Sequence, residues 1–333
     1  MYIVCYIEQG GSLLNKSGLI RVARMYYEQN MTQQQISNIL EISRMTVSRM
    51  LQKAREEGVV DIKVNYDGSY IELEDDIKDK YSLKEVIITP FDQGESLKQI
   101  LAEATASILI RILKPNDIVG VGWGSTLAYI PNSVDKDVKV GITFVPLIGG
   151  YGQTKIEIHA NQIASNLASA FSGKSYLMHA PAMVDSLELK NALLTDNNIS
   201  SVLQIGEKSN IAIIGIGSPF SPESTMFESG YFRNEDIEEL RRDRAECDIV
   251  SCTYLDNKGN ECGLELIRRT IGITAAALKG IPLVIGVAGG AEKCLAIKLA
   301  LKAGYLTGLV TDVKTAKFLL NESKFDSDSL IVD

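Results

Sequence analysis

Between Ser43 and Arg55 the charged side chains are Arg44, Arg49, Lys53 and Arg55, all positive. A run of one sign suits a surface that lies against phosphates. Arginine pairs bidentately with guanine and methionine meets the thymine methyl, so Arg44, Met45 and Arg49 are candidates for reading base edges. Hydroxyls suit backbone oxygens, which assigns phosphate contacts to Thr32, Ser43, Thr46 and Ser48, with Gln33 beside Thr32 completing the candidate DNA contacts. An ordinary helical hairpin with a solvated basic face is the competing reading.

A second chemistry recurs further along. Gly120-Val121-Gly122-Trp123-Gly124-Ser125-Thr126, Gly149-Gly150-Tyr151-Gly152, Gly215-Ile216-Gly217-Ser218 and Ala288-Gly289-Gly290-Ala291-Glu292-Lys293 are glycine-rich segments that follow apolar runs. Glycine lets a backbone approach an anion, and N–H groups at a helix start, together with the Ser125 and Thr126 hydroxyls, can hold a phosphate. Lys293 could add a point charge. The first segment has neither the G-x-x-x-x-G-K-[ST] spacing of a nucleotide loop nor a good G-x-G-x-x-G, and a plain strand-to-helix turn remains the alternative.

Two kinds of element must carry these groups. Thr32 and Gln35 have the spacing of a capping box, so a helix is expected to start at Thr32 and to show Ile36, Ile39 and Leu40 as its apolar stripe. Glu41-Ile42-Ser43 breaks the pattern. Ser43 then caps a second helix whose Val47, Met50, Leu51 and Ala54 face one way. That is a helix-turn-helix, with a first helix expected over Leu19 to Gln29 packing Ile20, Ala23 and Tyr27 behind it. VVDIKV after Gly58 reads as a short wing strand, and IELEDDIKDKY from Ile71 to Tyr81 as a linker helix that could also pair subunits.

From Glu85 onwards VIITP, DIVGVG, ITFVPLIGG, SYLMHAP, IAIIGIG, IVSCTYLD, PLVIGVAGG and TGLVTD alternate with helical runs. Continuous apolar strands of this kind belong to a parallel sheet covered on both faces. The expected fold is therefore α/β: a winged helix-turn-helix followed by a doubly wound, mostly parallel domain with its ligand outside the carboxyl ends of the strands. The expected divisions are 1–17 unassigned, 18–68 helix-turn-helix, 69–84 linker, 85–321 α/β domain and 322–333 tail.

Composition sets limits. A length of 333 residues, with 45% hydrophobic and 23% charged, fits a globular chain of about two domains. The net charge of −8 is uneven: through Gly68 eight basic residues face seven acidic ones, a balance of +1 that leaves −9 on the remainder. Such a split turns the head towards DNA and keeps the body off it. The five cysteines form no C-x-x-C pair and the histidines are two, His159 and His179, so neither a metal site nor a His-based triad is expected. No run reaches the ~18 apolar residues of a membrane span, and the opening YIVCYI reads as neither signal nor anchor. A reduced, cytoplasmic protein without cofactor is the expectation.

The succession of helix-turn-helix, VGVGWGSTL, VPLIGGYG followed by Asn161, GIGSPF, CDIVSCTYLDNKGN and VAGGAEKCLAIKLAL leading to LVTD resembles the SorC family of bacterial sugar-responsive transcription regulators over roughly residues 19 to 321. The resemblance implies an effector domain related to sugar-phosphate isomerases that binds a phosphorylated sugar and adjusts operator affinity. It implies that Gly124, Ser125 and Thr126 hold the phosphate and that Gly149 and Gly150 line the pocket, with His159, Asp248 and Lys293 as further contacts. Ile148 stands where some relatives carry a basic residue that meets the effector, which bears against covalent capture and a doubly phosphorylated ligand. The partners implied are operator DNA, a sugar phosphate and further copies of the chain, as dimer or tetramer. The function expected is a ligand-gated regulator of carbohydrate uptake or catabolism genes rather than an enzyme. An isomerase carrying a helix-turn-helix is the alternative, and it would need a paired acid and base that the candidate residues do not offer close in sequence.

Overall fold

The computed structural model describes residues 16–60, 70–134, 141–150, 155–221, 224, 232–250 and 252–321. The chain divides into two compact units, Met1–Asp67 and Gly68–Asp333. Most of the expected wing, Tyr151 and Gly152, and the tail after Asn321 lie outside the described residues.

The first unit contains α1 (Lys16–Ala23), α2 (Gln33–Leu40) and α3 (Arg44–Glu56). Thr32 caps α2 and Ser43 caps α3, whose Thr46 N–H donates to Ser43 Oγ at 3.0 Å. Glu41, left-handed at φ 52°, closes the turn between them, and Ser37 Oγ donates to the Ile42 carbonyl at 2.6 Å. Val47, Met50, Leu51 and Ala54 are buried, as their spacing predicts. The first helix differs from its expected face: a π turn over Arg24–Glu28 follows α1, Leu19, Val22 and Met25 fill the core, and Ile20 and Tyr27 are exposed. Each i→i+5 turn adds a residue and rotates the side chains beyond it, which takes Tyr27 off the stripe. Ile39 is also exposed, because Ile36 and Leu40, four residues apart, already share the inward side of α2.

The second unit opens with α4 (Ile71–Tyr81), the segment expected as a linker. Here it packs against its own unit: Ile77 is fully buried, Glu74 accepts the Ile88 N–H at 2.9 Å, and Tyr81 donates its hydroxyl to the Leu319 carbonyl at 2.9 Å. In chain order there follow β1 (Glu85–Thr89), α5 (Gly94–Ile112), β2 (Ile118–Val121), α6 (Ser125–Tyr129), β3 (Thr143–Pro146), α7 (Ala160–Ala170) and β4 (Lys174–Ser175). Then come α8 (Leu187–Leu194), α9 (Asn197–Glu207), β5 (Ile211–Gly217), α10 (Asn234–Arg242), β6 (Ala245–Ile249), β7 (Thr253–Asp256) and β8 (Glu261–Cys262). The unit ends with α11 (Leu264–Arg268), α12 (Ala275–Gly280), β9 (Leu283–Val287), α13 (Cys294–Lys302), β10 (Gly308–Asp312) and α14 (Val313–Leu320).

The strands lie in the order β1-β10-β9-β5-β2-β3-β4, every neighbouring pair parallel. Along β5, Ile211 and Ile213 enter one core while Ala212, Ile214 and Ile216 enter the other, the two-sided burial that an unbroken apolar strand requires. Two expected strands are corrected. In SYLMHAP only Ser175 is strand: the Asn161 side chain takes the hydrogen bonds of a ladder instead, donating to the Met178 carbonyl at 2.9 Å and accepting its N–H at 2.8 Å. IVSCTYLD is broken at Val250, left-handed at φ 58°, so that β6 and β7 form an antiparallel pair extended by β8.

Candidate functional site

On the first unit, α3 turns its apolar stripe inward and leaves Arg44, Met45, Ser48 and Arg49 exposed. The expected base readers therefore share the free side of a thirteen-residue helix. Thr46 is half-buried, and its hydroxyl lies 2.8 Å from that of Ser43, so both phosphate candidates sit at the helix start. Thr32, Gln33 and Arg44 come together around one open recess with Tyr26, Tyr27 and Asn30. The positive run stops where Gln52 donates to Glu56 at 2.9 Å and Lys53 pairs with Glu57 at 3.4 Å.

On the second unit the site follows from topology. From β2 the chain winds outward to β3 and β4, whereas β5 returns to the other side of β2 and the chain proceeds to β9 and β10. The direction reverses between β2 and β5, and at such a switch point the loops beyond the strand ends diverge and leave a crevice. The loop after β2 contributes Trp123, Gly124, Ser125 and Thr126; the loop after β5 contributes Ser218, Ser221 and Ser224; Lys293 follows β9. Asp248 arrives by another route. The end of β5 pairs antiparallel with β6, Gly217 opposite Asp248, and a side-chain carbon on Gly217 would lie 3.4 Å from Asp248 Oδ2. The resulting cleft measures about 670 Å³, its open mouth included.

Local backbone accounts for the turn at Gly124. Gly124 has φ 133°, a conformation that side-chain-bearing residues avoid, and its N–H donates to the Ile158 carbonyl at 3.0 Å. Thr126 follows in the first turn of α6 with only 7% exposure. Ser125 and Thr126, with Asp248 and Lys293 from distant parts of the chain, thus face one space, offering hydroxyls, a cation and a carboxylate. A second recess beyond Thr126 and Lys293 is lined by Phe91, Lys98 and the Gly289-Gly290 turn.

Three expected residues lie elsewhere. Gly149 and Gly150 are outside the cleft lining: Gly149 N–H donates to the Ile271 carbonyl at 3.0 Å, and a side chain there would meet the Pro181 carbonyl oxygen at 2.5 Å, so close packing demands glycine. His159 precedes α7, half-buried and next to the Ile158 carbonyl that receives Gly124. Burial lowers its pKa, an effect that the neighbouring Glu157 opposes. Ser221, Ser224 and Val250 also line the cleft; hydroxyls at every third position after a strand end, Ser218, Ser221 and Ser224, are a readable signal in the sequence, whereas Val250 carries none. Among the described residues, no group of three or more His, Cys, Asp or Glu side chains is placed to hold a metal, and no helix is long and apolar enough to cross a membrane.

Comparison with known proteins bears on both units. Residues 68–321 match the sugar-binding domain family (Sugar-bind), and residues 13–75 match the Crp-like helix-turn-helix domain. The chain is 31% identical over 307 residues to the sorbitol operon regulator of Klebsiella pneumoniae, covering 91% of this chain and 97% of that protein. It is 33% identical over 306 residues to the deoxyribonucleoside regulator of Bacillus subtilis (strain 168), with the same coverage of 91% and 97%. The crystal structure of full-length SorC from K. pneumoniae superposes with a TM-score of 0.72 at 30% identity, over 91% of this chain and 98% of that one. A transcriptional regulator from Streptococcus pneumoniae TIGR4 gives 0.71 at 27% identity, over 77% and 98%.

Proposed function

Because this chain belongs to the SorC family of transcription regulators, a sugar-binding domain joined to a helix-turn-helix, we propose that a phosphorylated sugar in the cleft at the β2–β5 switch point controls its affinity for operator DNA. The observation that carries this reading is the convergence of Ser125, Thr126, Asp248 and Lys293 on one cleft. Hydroxyls and a lysine cation suit a phosphate, and charge-assisted hydrogen bonds are the strong ones. A carboxylate is an acceptor only, so Asp248 suits the hydroxyl groups of the sugar. Gly149, Gly150 and His159 lie outside this lining.

Binding is favoured over turnover because Asp248 is the single carboxylate among the described residues of that lining, whereas isomerisation needs a base and an acid placed together. The DNA unit is proposed to act as at least a dimer, since one helix-turn-helix gives little specific affinity and two-fold pairs read half-sites about one or more turns apart. Genes for carbohydrate uptake or catabolism are the proposed targets. The effector changes operator affinity only by its own differential affinity for two protein states. Titrating operator complexes with pentose and hexose phosphates tests the proposal: a saturable shift is expected. No shift with any phosphate, or steady conversion of one of them, would defeat it.

A further inference from the structure

Asp312 is fully buried at the end of β10 and does not line the cleft. Its carboxylate nevertheless receives four hydrogen bonds. Oδ1 accepts the N–H groups of Lys314 and Thr315 at 2.9 and 3.0 Å, which fixes it as the cap of α14. Oδ2 accepts the Thr315 hydroxyl at 2.6 Å and, across the sheet edge, the N–H of Gly290 at 2.8 Å.

Gly290 is where this matters for the site. It has φ 100°, so only glycine holds it easily, and the turn needs an external restraint to keep that conformation. Its carbonyl oxygen accepts the Lys293 N–H at 3.1 Å. The Cys294 thiol lies 3.6 Å from the same oxygen and 3.7 Å from Thr315 Oγ1, and burial raises its pKa to about 11, so it remains a protonated donor. Gly289 packs so closely that a side chain on it would meet Asp312 Oδ2 at 2.5 Å. One carboxylate therefore ties α14, Gly290 and, through Gly290, the backbone of Lys293 into a single rigid piece.

We infer that Asp312 is the positioning residue of the effector site, holding the Gly289–Lys293 turn so that Lys293 is presented to the anion. This rests on the proposed reading of the cleft. In Asp312→Asn the amide oxygen keeps one pair of donors while the NH2 group faces the other, so N–H meets N–H at Gly290 or at the α14 cap. Thr315→Val removes one bond of the four and is milder.

Affinity is read from the fluorescence of Trp123, the chain's single tryptophan, which lines the cleft. The probes are pentose and hexose monophosphates, with inorganic phosphate as the smallest. Asp312→Asn should weaken binding at least about tenfold and Thr315→Val roughly threefold. The separating measurement is the cycle with Lys293→Ala. If Asp312 acts through Lys293, adding Asp312→Asn to Lys293→Ala should cost under about threefold more, whereas independent or merely destabilising effects multiply. Wild-type affinity in Asp312→Asn, or multiplying losses in the double variant, would overturn the inference. Should Asp312→Asn fail to fold, Thr315→Val decides: wild-type affinity overturns it. If only unphosphorylated sugars bind the wild type, the phosphate reading falls, while the same cycle run with those sugars still judges Asp312.

Discussion

Thr32 and Gln35 hold each other across the first turn of α2: the Gln35 N–H donates to Thr32 Oγ1 at 3.2 Å, and the Thr32 N–H donates to Gln35 Oε1 at 2.9 Å. Two free donors of the helix start are satisfied reciprocally, which fixes where α2 begins and hence where Gln33 and Arg44 stand around their recess. Removing the hydroxyl with Thr32→Ala should destabilise α2 by about 1 kcal/mol, and Thr32→Ser should retain most of it. Hydrogen exchange of the α2 amides checks this, with roughly fivefold faster exchange expected for the alanine variant and near-native rates for serine. Equal rates in all three proteins would show that packing alone sets the helix.

Arg49 is exposed on α3 one residue before Met50, which is fully buried, so its direction is set by the core beneath it. If it reads a base edge, Arg49→Ala should cost about 1–3 kcal/mol on the operator and relax preference at one position of each half-site. Selection of binding sites from a randomised pool distinguishes the outcomes. A uniform loss across all sequences, with a shallower salt dependence, would make Arg49 a phosphate contact instead.

His159 gives a pH dependence whose sign follows from its burial. Burial, partly opposed by Glu157, lowers its pKa in the folded chain below the ordinary 6.5. Protons are then bound more readily by the unfolded state, so the stability contributed by neutral His159 is full above about 6.5 and declines as pH falls towards the folded value. Melting temperatures of wild type and His159→Gln between pH 7.5 and 5.5 should converge as acid is added. A constant difference across that range would detach His159 from the acid response.

Much of the architecture was readable because it rests on local pattern. The caps at Thr32 and Ser43, the stripe Val47–Met50–Leu51–Ala54 and the doubly buried strand β5 follow from spacing alone. The features that escaped depended on competition or on distance. Ile20 and Tyr27 have helical spacing, yet the face of Leu19 and Val22 wins the core and a π turn rotates the residues beyond it. Val250 reads as strand interior, yet the hairpin turns there. Asp248 and Lys293 could be named as cleft groups from the resemblance, but the antiparallel pairing that brings Asp248 opposite Gly217 leaves no local mark. Gly149 carries an ambiguous signal, because tight packing against the Pro181 carbonyl and anion binding both select glycine.

Thr126 offers the sharpest test of the cleft. It is nearly buried in the first turn of α6, lines both the cleft and the recess beside it, and shares both linings with Lys293. Replacing it by glutamate removes a hydroxyl donor, fills the space and sets a negative charge against an anion. Loss of charge-assisted hydrogen bonds in a partly buried site costs about 1.5–3 kcal/mol, roughly ten- to a hundredfold in affinity, before repulsion is added. Operator binding without effector should survive, because the helix-turn-helix belongs to a separate compact unit. In an operator-binding titration the response of Thr126→Glu should therefore keep its starting level and move to higher effector concentration, with the shift set by the lost differential affinity. Thr126→Ser, which keeps the hydroxyl, should respond close to wild type. An unchanged response in folded Thr126→Glu would remove Thr126 from the site, and an effector that carries no phosphate would remove the mechanism.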